Sequence, residues 1–300
     1  MKKKTYLFAL MAMALALGSC SDNENGIGGE ASKYITVSTN IGSMTRVATD
    51  ADGSQTFEEG DKISVYAWTG DATVAPETRE RVVNNAINKL TNGSWVSTPQ
   101  MLWKNNRDKH YFIGVYPISA ISDLSAGEYT FDETKQVESD LLVAVNKDGL
   151  SYNVDEQQPV PLTFTHVMAK LVVNLTYKNQ WGGIPTVEKV VVGNAAKEAT
   201  INYLTKVVTP STTAKEDFSL PEITENTKYV SVIIPQEEVK QLTIVIGGKN
   251  FVYDNGTPFK LESGKITTVN LEVGRDEIKL GDVKITDWED GSTFSGEAIN

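Results

Sequence analysis

Lys170-Leu171-Val172-Val173-Asn174-Leu175-Thr176 decides the fold class. Leu171, Val173 and Leu175 alternate with Val172, Asn174 and Thr176, the period of a pleated strand rather than of a helix. The same alternation returns on either side. Ile35, Val37 and Ile41 alternate with Thr36, Ser38 and Asn40, and Ile63, Val65 and Ala67 alternate with Ser64, Tyr66 and Trp68. Further strands are expected at Tyr111–Tyr116, Val187–Val192, Tyr229–Ile234, Leu242–Ile246, Phe251–Tyr253, Ile266–Val273 and Val283–Trp288. Asn92-Gly93 and Asn255-Gly256 lie between strand-like runs and offer the positive φ that a tight hairpin needs. Between Glu77 and Leu90 the spacing of Val82, Val83, Ala86 and Leu90 is roughly helical, and the asparagines lower the propensity; a short helix or loop is expected.

Short strands with turn signals and no helical crossovers of about ten to fifteen residues predict an all-β chain built of sandwiches. A polar stretch with two prolines, Asp155-Glu156-Gln157-Gln158-Pro159-Val160-Pro161, is the expected boundary between an N-terminal sandwich over 33–160 and a C-terminal one over 161–300.

The first residues carry a different signal. Lys2, Lys3 and Lys4 precede an apolar run from Tyr6 to Leu17, followed by Leu17-Gly18-Ser19-Cys20. This order is that of a secretory signal ending in a lipobox, and the run is too short to span a bilayer. Residues 1–19 are therefore expected to be removed, leaving Cys20 as the acylated N-terminus that holds the protein to outer-membrane lipid. Cys20 is the only cysteine, which rules out an internal disulfide and a cysteine-based metal site. Residues 20–32, acidic and then glycine-rich, read as a flexible tether. The acidic stretch after Cys20 resembles the surface-export signal of Bacteroidota lipoproteins.

Removing residues 1–19 takes away three lysines and no acid, leaving 28 − 3 = 25 basic against 39 acidic residues, a formal charge of −14. That surface repels phosphate backbones, and no nucleic-acid partner is expected. Neither a nucleophile elbow, a His-Glu-x-x-His pair nor a phosphate loop occurs in the sequence, so no enzyme, cofactor or metal is expected. His166 reads as a hydrogen-bonded structural histidine and His110 as a loop residue before a strand. The acidic run from Asp50 to Asp61 places Gln55 where a calcium loop needs glycine, and reads as a solvated loop. Trp68, Trp95, Trp103, Trp181 and Trp288 have two readings, core filling or a platform for carbohydrate.

Read in order, Phe57-Glu58-Glu59-Gly60-Asp61-Lys62-Ile63-Ser64-Val65-Tyr66, Gly93-Ser94-Trp95, Leu102-Trp103, Tyr111-Phe112-Ile113-Gly114-Val115-Tyr116-Pro117 and Ser139-Asp140-Leu141-Leu142-Val143-Ala144 form a pattern. It continues through Leu162–Leu171, Ile233-Ile234-Pro235-Gln236, Gly247-Gly248-Lys249, Leu261–Lys265 and Val283–Trp288. Over nearly the whole mature chain this resembles the fimbrillin (Mfa-like) family of Bacteroidota.

The resemblance implies two tandem transthyretin-like β-sandwich domains and a stalk or tip subunit of a type V pilus, acting in adhesion or biofilm formation. It implies a lipidated precursor at the cell surface, an arginine-specific surface protease that removes an N-terminal strand, and another subunit's strand in the vacated groove. Ile35, Val37 and Ile41 then mark the removable strand, and the cut falls between Arg46 and Val47; Arg46 is the only arginine before Phe57. The candidate donor is the C-terminal segment, with Ile278, Leu280, Val283, Ile285 and Trp288, and with Gly281 as the expected bulge. The other reading of that segment is a strand that completes its own domain. Expected partners are other copies or other pilin subunits and host or bacterial surface ligands. The alternative function is a surface glycan-binding lipoprotein using exposed tryptophans such as Trp68 or Trp103.

Overall fold

The computed structural model describes residues 33–42, 56–153 and 158–288, with side chains at 255–257 excepted. Residues 1–19, Cys20, the 20–32 tether, Arg46, Val47 and the 50–55 part of the acidic loop lie outside the described residues.

The first run of strands is β1 (Val37–Ile41), β2 (Lys62–Thr69), β3 (Arg81–Thr91), β4 (Ser94–Thr98), β5 (His110–Tyr116), β6 (Gly127–Thr130), β7 (Leu142–Leu150) and β8 (Val160–His166). Then come β9 (Ala169–Tyr177), β10 (Val187–Ala196), β11 (Glu198–Asn202), β12 (Val207–Pro210), β13 (Lys215–Ser219) and β14 (Glu222–Thr224). The chain continues with β15 (Lys228–Ile233), β16 (Gln236–Ile246), β17 (Lys249–Leu261), β18 (Lys265–Val273) and β19 (Ile278–Asp287). Among the described residues the only helices are single 3-10 turns at Thr78–Glu80 and Asn179–Trp181.

The first sheet has the order β1-β8-β7-β5-β2-β3-β4. All its pairs are antiparallel except β1 with β8. The chain leaves this sheet at Val167-Met168, both buried, and enters a five-stranded sheet β14-β15-β9-β18-β19, which faces a four-stranded sheet β13-β10-β16-β17 across a shared core. β6, from the first half of the chain, pairs with β11 in a small sheet completed by β12.

The first sheet is apolar on both faces. Tyr66, Trp68, Ile113, Val115 and Val143 join the core that runs through the second half, while Ile63, Val65, Phe112, Leu142 and Phe164 form a separate core with β1. A sheet covered on both sides carries near-continuous apolar runs, and six of the eight residues of β2 are buried. The expected alternation at Ile63–Trp68 holds as pleat, and both faces are covered: Tyr66 and Trp68 are buried along with Ile63, Val65 and Ala67, and Trp68 follows its core-filling reading.

Two local expectations are corrected. Residues 81–91 are strand, not helix or loop, after the 3-10 turn. Val65 pairs with Ala86 and Ala67 with Val83, two residues against three, so a bulge with Asn85 at φ 54° puts buried residues three apart and imitates helical spacing. Asn92-Gly93 is the hairpin turn expected, with φ of 51° and 72°. Asn255-Gly256 is not a turn, because it sits within β17 in a register shift between the Gln241–Asp254 and Val239–Phe259 pairs; the hairpin is made by Gly247 and Gly248, with φ of 59° and 71°.

Candidate functional site

β1 is an edge strand with one neighbour among the described strands. It runs parallel to β8, with Val37 opposite Val160 and Ile41 opposite Phe164. The Val160 N–H donates to Thr36 O at 2.8 Å and the Gly42 N–H to Phe164 O at 2.9 Å. Upstream the partner changes: the Ile35 N–H donates to Met101 O at 2.9 Å, and the Trp103 N–H to Lys33 O at 3.1 Å. Period-two chemistry then decides which side chains enter the core. Ile35, Val37 and Ile41 are 2%, 6% and 7% exposed, whereas Thr36, Ser38 and Asn40 face solvent.

Aromatic rings build the floor beneath β1. The Phe57 ring meets Trp95, Tyr116 and Phe164 edge-on at centroid distances of 5.3, 5.5 and 5.2 Å. Phe164 requires a neighbour without a side chain, since a Cβ at Gly114 would lie 2.6 Å from its Cζ. On its open side β1 approaches β4. A cavity of about 550 Å³ lies there, lined by β1, Phe57, Leu90, Trp95 and Pro159, and the Trp95 Nε1–H crosses the gap to donate to Thr39 Oγ1 at 2.9 Å.

The C-terminal candidate strand is also at an edge. β19 pairs antiparallel with β18 from Val273–Ile278 to Lys265–Asp287. Leu271 pairs with Leu280 and Asn270 with Asp282, so Gly281 is the extra residue of the expected bulge. The bulge puts Ile278, Leu280, Val283 and Ile285 on one face of the strand, opposite Val273, Leu271, Val269 and Thr267. Ile278 and Leu280 are half-buried, but Val283 and Ile285 are 36% and 39% exposed. Trp288, just past the strand, is fully buried.

The histidines have structural partners. His166 Nδ1 and Asp140 Oδ1 are 2.6 Å apart and both side chains are buried. His110 is the first residue of β5 and fully buried, a correction to its expected loop position. Its Nε2 accepts the Lys104 N–H at 3.0 Å, which leaves the proton on Nδ1 to donate to Asp108 O at 3.0 Å. Burial pulls its pKa below the ordinary imidazole value, and the Asp108 carbonyl opposes this. Burial also lowers the pKa of Lys170, against the attraction of Asp140. Among the described residues no cluster of three or more His, Cys, Asp or Glu could hold a metal.

The tryptophans form no platform. Trp68 is 2% exposed and Trp288 fully buried, and Trp95, Trp103 and Trp181 are half-buried. Trp68 and Trp103 share a cleft of about 780 Å³ with Arg79 and Lys104, but Trp103 is engaged by His110 and Phe112 at 5.0 and 5.8 Å. The exposed indoles required for carbohydrate stacking are absent among them.

A family model described as fimbrillin-like matches residues 45–288. The chain belongs to the fimbrillin-like family. It is 24% identical to a candidate fimbrium subunit, Fim1C, of Bacteroides uniformis, over 97% of each chain. Among solved structures it is similar to a candidate cell adhesion protein of Bacteroides uniformis, with 18% identity, a TM-score of 0.64, and 86% of this chain and 100% of that one covered. A second, from Bacteroides ovatus, gives 18% identity and a TM-score of 0.64 over 85% and 98%. At these identities the structures establish a shared β fold. As family matter, the residues beneath β1 are the part the sequence did not single out: Gly114, Phe164 and Phe57 carry no polar or catalytic signal, and only the quoted motif order ran through them.

Proposed function

We propose that this fimbrillin-like chain is a structural subunit of a surface fimbria, made as a lipoprotein precursor acylated on Cys20 and held at the outer membrane until an arginine-specific protease cuts between Arg46 and Val47. A strand from another subunit then takes the place of β1, and fibres grow by repetition. The subunit acts as stalk or tip in adhesion or biofilm formation. We keep two sandwich domains, 33–160 and 161–300, as part of the proposal; β8 (Val160–His166) pairs in the first sheet, which supports moving their boundary to the end of that strand.

One observation carries this reading: a segment upstream of Arg46 buries Ile35, Val37 and Ile41, and its short edge strand β1 pairs with β8 alone among the described strands. Burying an aliphatic side chain of this size stabilises by about 1.5–3 kcal/mol. Losing the segment from Ile35 to Ile41 would uncover three such sockets and one edge of the β8 backbone, and an incoming strand would recover both the burial and the main-chain bonds. β19, the edge strand of the five-stranded sheet, has β18 as its one partner among the described strands and four apolar residues aligned on one face by the Gly281 bulge, which fits a donor role.

The test is purified precursor treated with an arginine-specific protease. Cleavage after Arg46 followed by ladders of oligomers is expected, and Arg46→Ala should remain a folded monomer because its groove stays filled. Trimmed protein that stays strictly monomeric, or Arg46→Ala protein found in polymers at normal levels, would defeat the proposal.

A further inference from the structure

β19 is held unevenly. None of its ten residues is fully buried: Ile278 and Leu280, at its start, pack half-buried against the core, and toward its end the side-chain contacts lie at the surface, Asn270 with Asp282 and Lys265 with Asp287. Water screens such pairs, and they contribute little. Among the described residues from Ile278 onward, the one fully buried side chain comes directly after the strand. Trp288 lies flat on His166, with ring centroids 4.0 Å apart and planes 15° from parallel, and the Lys170 ammonium sits 5.3 Å from the indole. Its backbone N–H reaches Gly264 O at 3.4 Å.

These contacts belong to other elements than the strand that pairs with β19. His166 ends β8, Lys170 opens β9, and Asp140, which fixes the imidazole, precedes β7. Trp288 therefore plugs the junction where the chain crosses from the first sheet to the second. The seat is also polar. Asp140 Oδ2 and His166 Nε2 are buried without a hydrogen-bond partner among the described residues, an arrangement that costs stability while the site is closed. Withdrawing the indole would let water reach both atoms, a compensation that a hydrocarbon seat would not receive.

We propose that Trp288, seated on the Asp140-fixed ring of His166, is the latch that holds the C-terminal strand β19 in its own sheet. A strand with apolar side chains buried along its length must be peeled off residue by residue. Here the fully buried anchor is one ring past the end of the strand, and once that ring leaves, the exposed half of β19 from Gly281 onward can lift from β18, with only the half-buried Ile278 and Leu280 left to release. Because His166 ends β8, the strand against which β1 lies, the latch and the removable strand share one element. The latch takes its purpose from the fimbrial reading, but its test uses uncut, unassembled protein, so the two fail separately.

The experiment is backbone hydrogen exchange of the full chain, comparing the unsubstituted protein with Trp288→Ala, Trp288→Phe and His166→Ala. In Trp288→Ala and His166→Ala, peptides spanning 278–287 should exchange at least about tenfold faster while peptides of β5, β8 and β9 keep their protection. Trp288→Phe, which preserves a stacked ring, should restore most of the β19 protection. Unchanged β19 exchange in either alanine variant overturns the latch. Loss of protection across all sheets together in both also overturns it, since Trp288 would then be an ordinary core residue.

Discussion

Trp95 and Thr39 join the two edges of the first sheet: the indole N–H of β4 donates to the hydroxyl of β1 at 2.9 Å, across a cavity of about 550 Å³. The sheet curls so far that its first and last strands almost meet, yet one side-chain hydrogen bond spans the gap in place of a backbone ladder. β1 is therefore fixed strongly on the β8 side and lightly on the other.

Replacing Thr39 by Val keeps the shape and removes the acceptor. The loss should be about 1 kcal/mol in a urea titration, with a shift in Trp95 fluorescence as its indole N–H loses its partner. A larger loss would place more of the attachment of β1 at this edge than the geometry allows.

Ile35 is 2% exposed just before β1, where pairing passes from Met101 to β8. Ile35→Ala should destabilise the uncut protein by about 2–5 kcal/mol through lost burial and the cavity left behind. Ser38→Ala, on the solvent face of the same strand, should change the unfolding midpoint by about 0.5 kcal/mol or less.

At Gly114 an added methyl would meet Phe164 Cζ at 2.6 Å and Leu162 Cδ1 at 3.1 Å, both from β8. Gly114→Ala should cost about 1–3 kcal/mol through overpacking. Because the clash bears on the strand that carries β1, thermal melts should show the loss together with faster proteolysis near β1.

His110 predicts a pH dependence with a definite sign. Its pKa in the folded state lies below the ordinary 6.5, so the unfolded chain binds the proton first as pH falls. The stability due to neutral His110 is fully present above that value and is lost as pH drops through the lower folded pKa. Urea midpoints between pH 7.5 and 5 should fall with acidification, and the slope should shrink in His110→Gln, which retains an acceptor for the Lys104 N–H. An unchanged slope would assign the dependence to other groups.

Val283 and Ile285 are more than a third exposed on β19, so Val283→Thr with Ile285→Thr should change stability by about 1 kcal/mol or less. If these residues fill a neighbour's groove, the same variant should be trimmed normally and yet form few oligomers, scored on denaturation-free gels. Polymerisation at the unsubstituted rate would remove them from the donor role.

The sequence alone determined that the described residues are built of β-strands, which side of β1 and β9 faces the core, where the Asn92-Gly93 hairpin turns, and that Gly281 breaks the register of β19. These follow from the period of the pleat and from the φ tolerance of single residues, both local properties. Motif order through Phe57, Gly114 and Val283–Trp288 added the family. Only the tertiary structure decided that Tyr66 and Trp68 are buried, because whether a second face is covered depends on strands far along the chain. It also decided that residues 81–91 are a strand, since the bulge at Asn85 is defined by its partner β2 and not by its own neighbours. The pairing of β1 with β8, the cavity beside β4 and the seat of Trp288 on His166 belong to the same class. Each joins residues whose separate signals are those of an ordinary strand, and the meaning of each lies in which distant backbone or ring it meets.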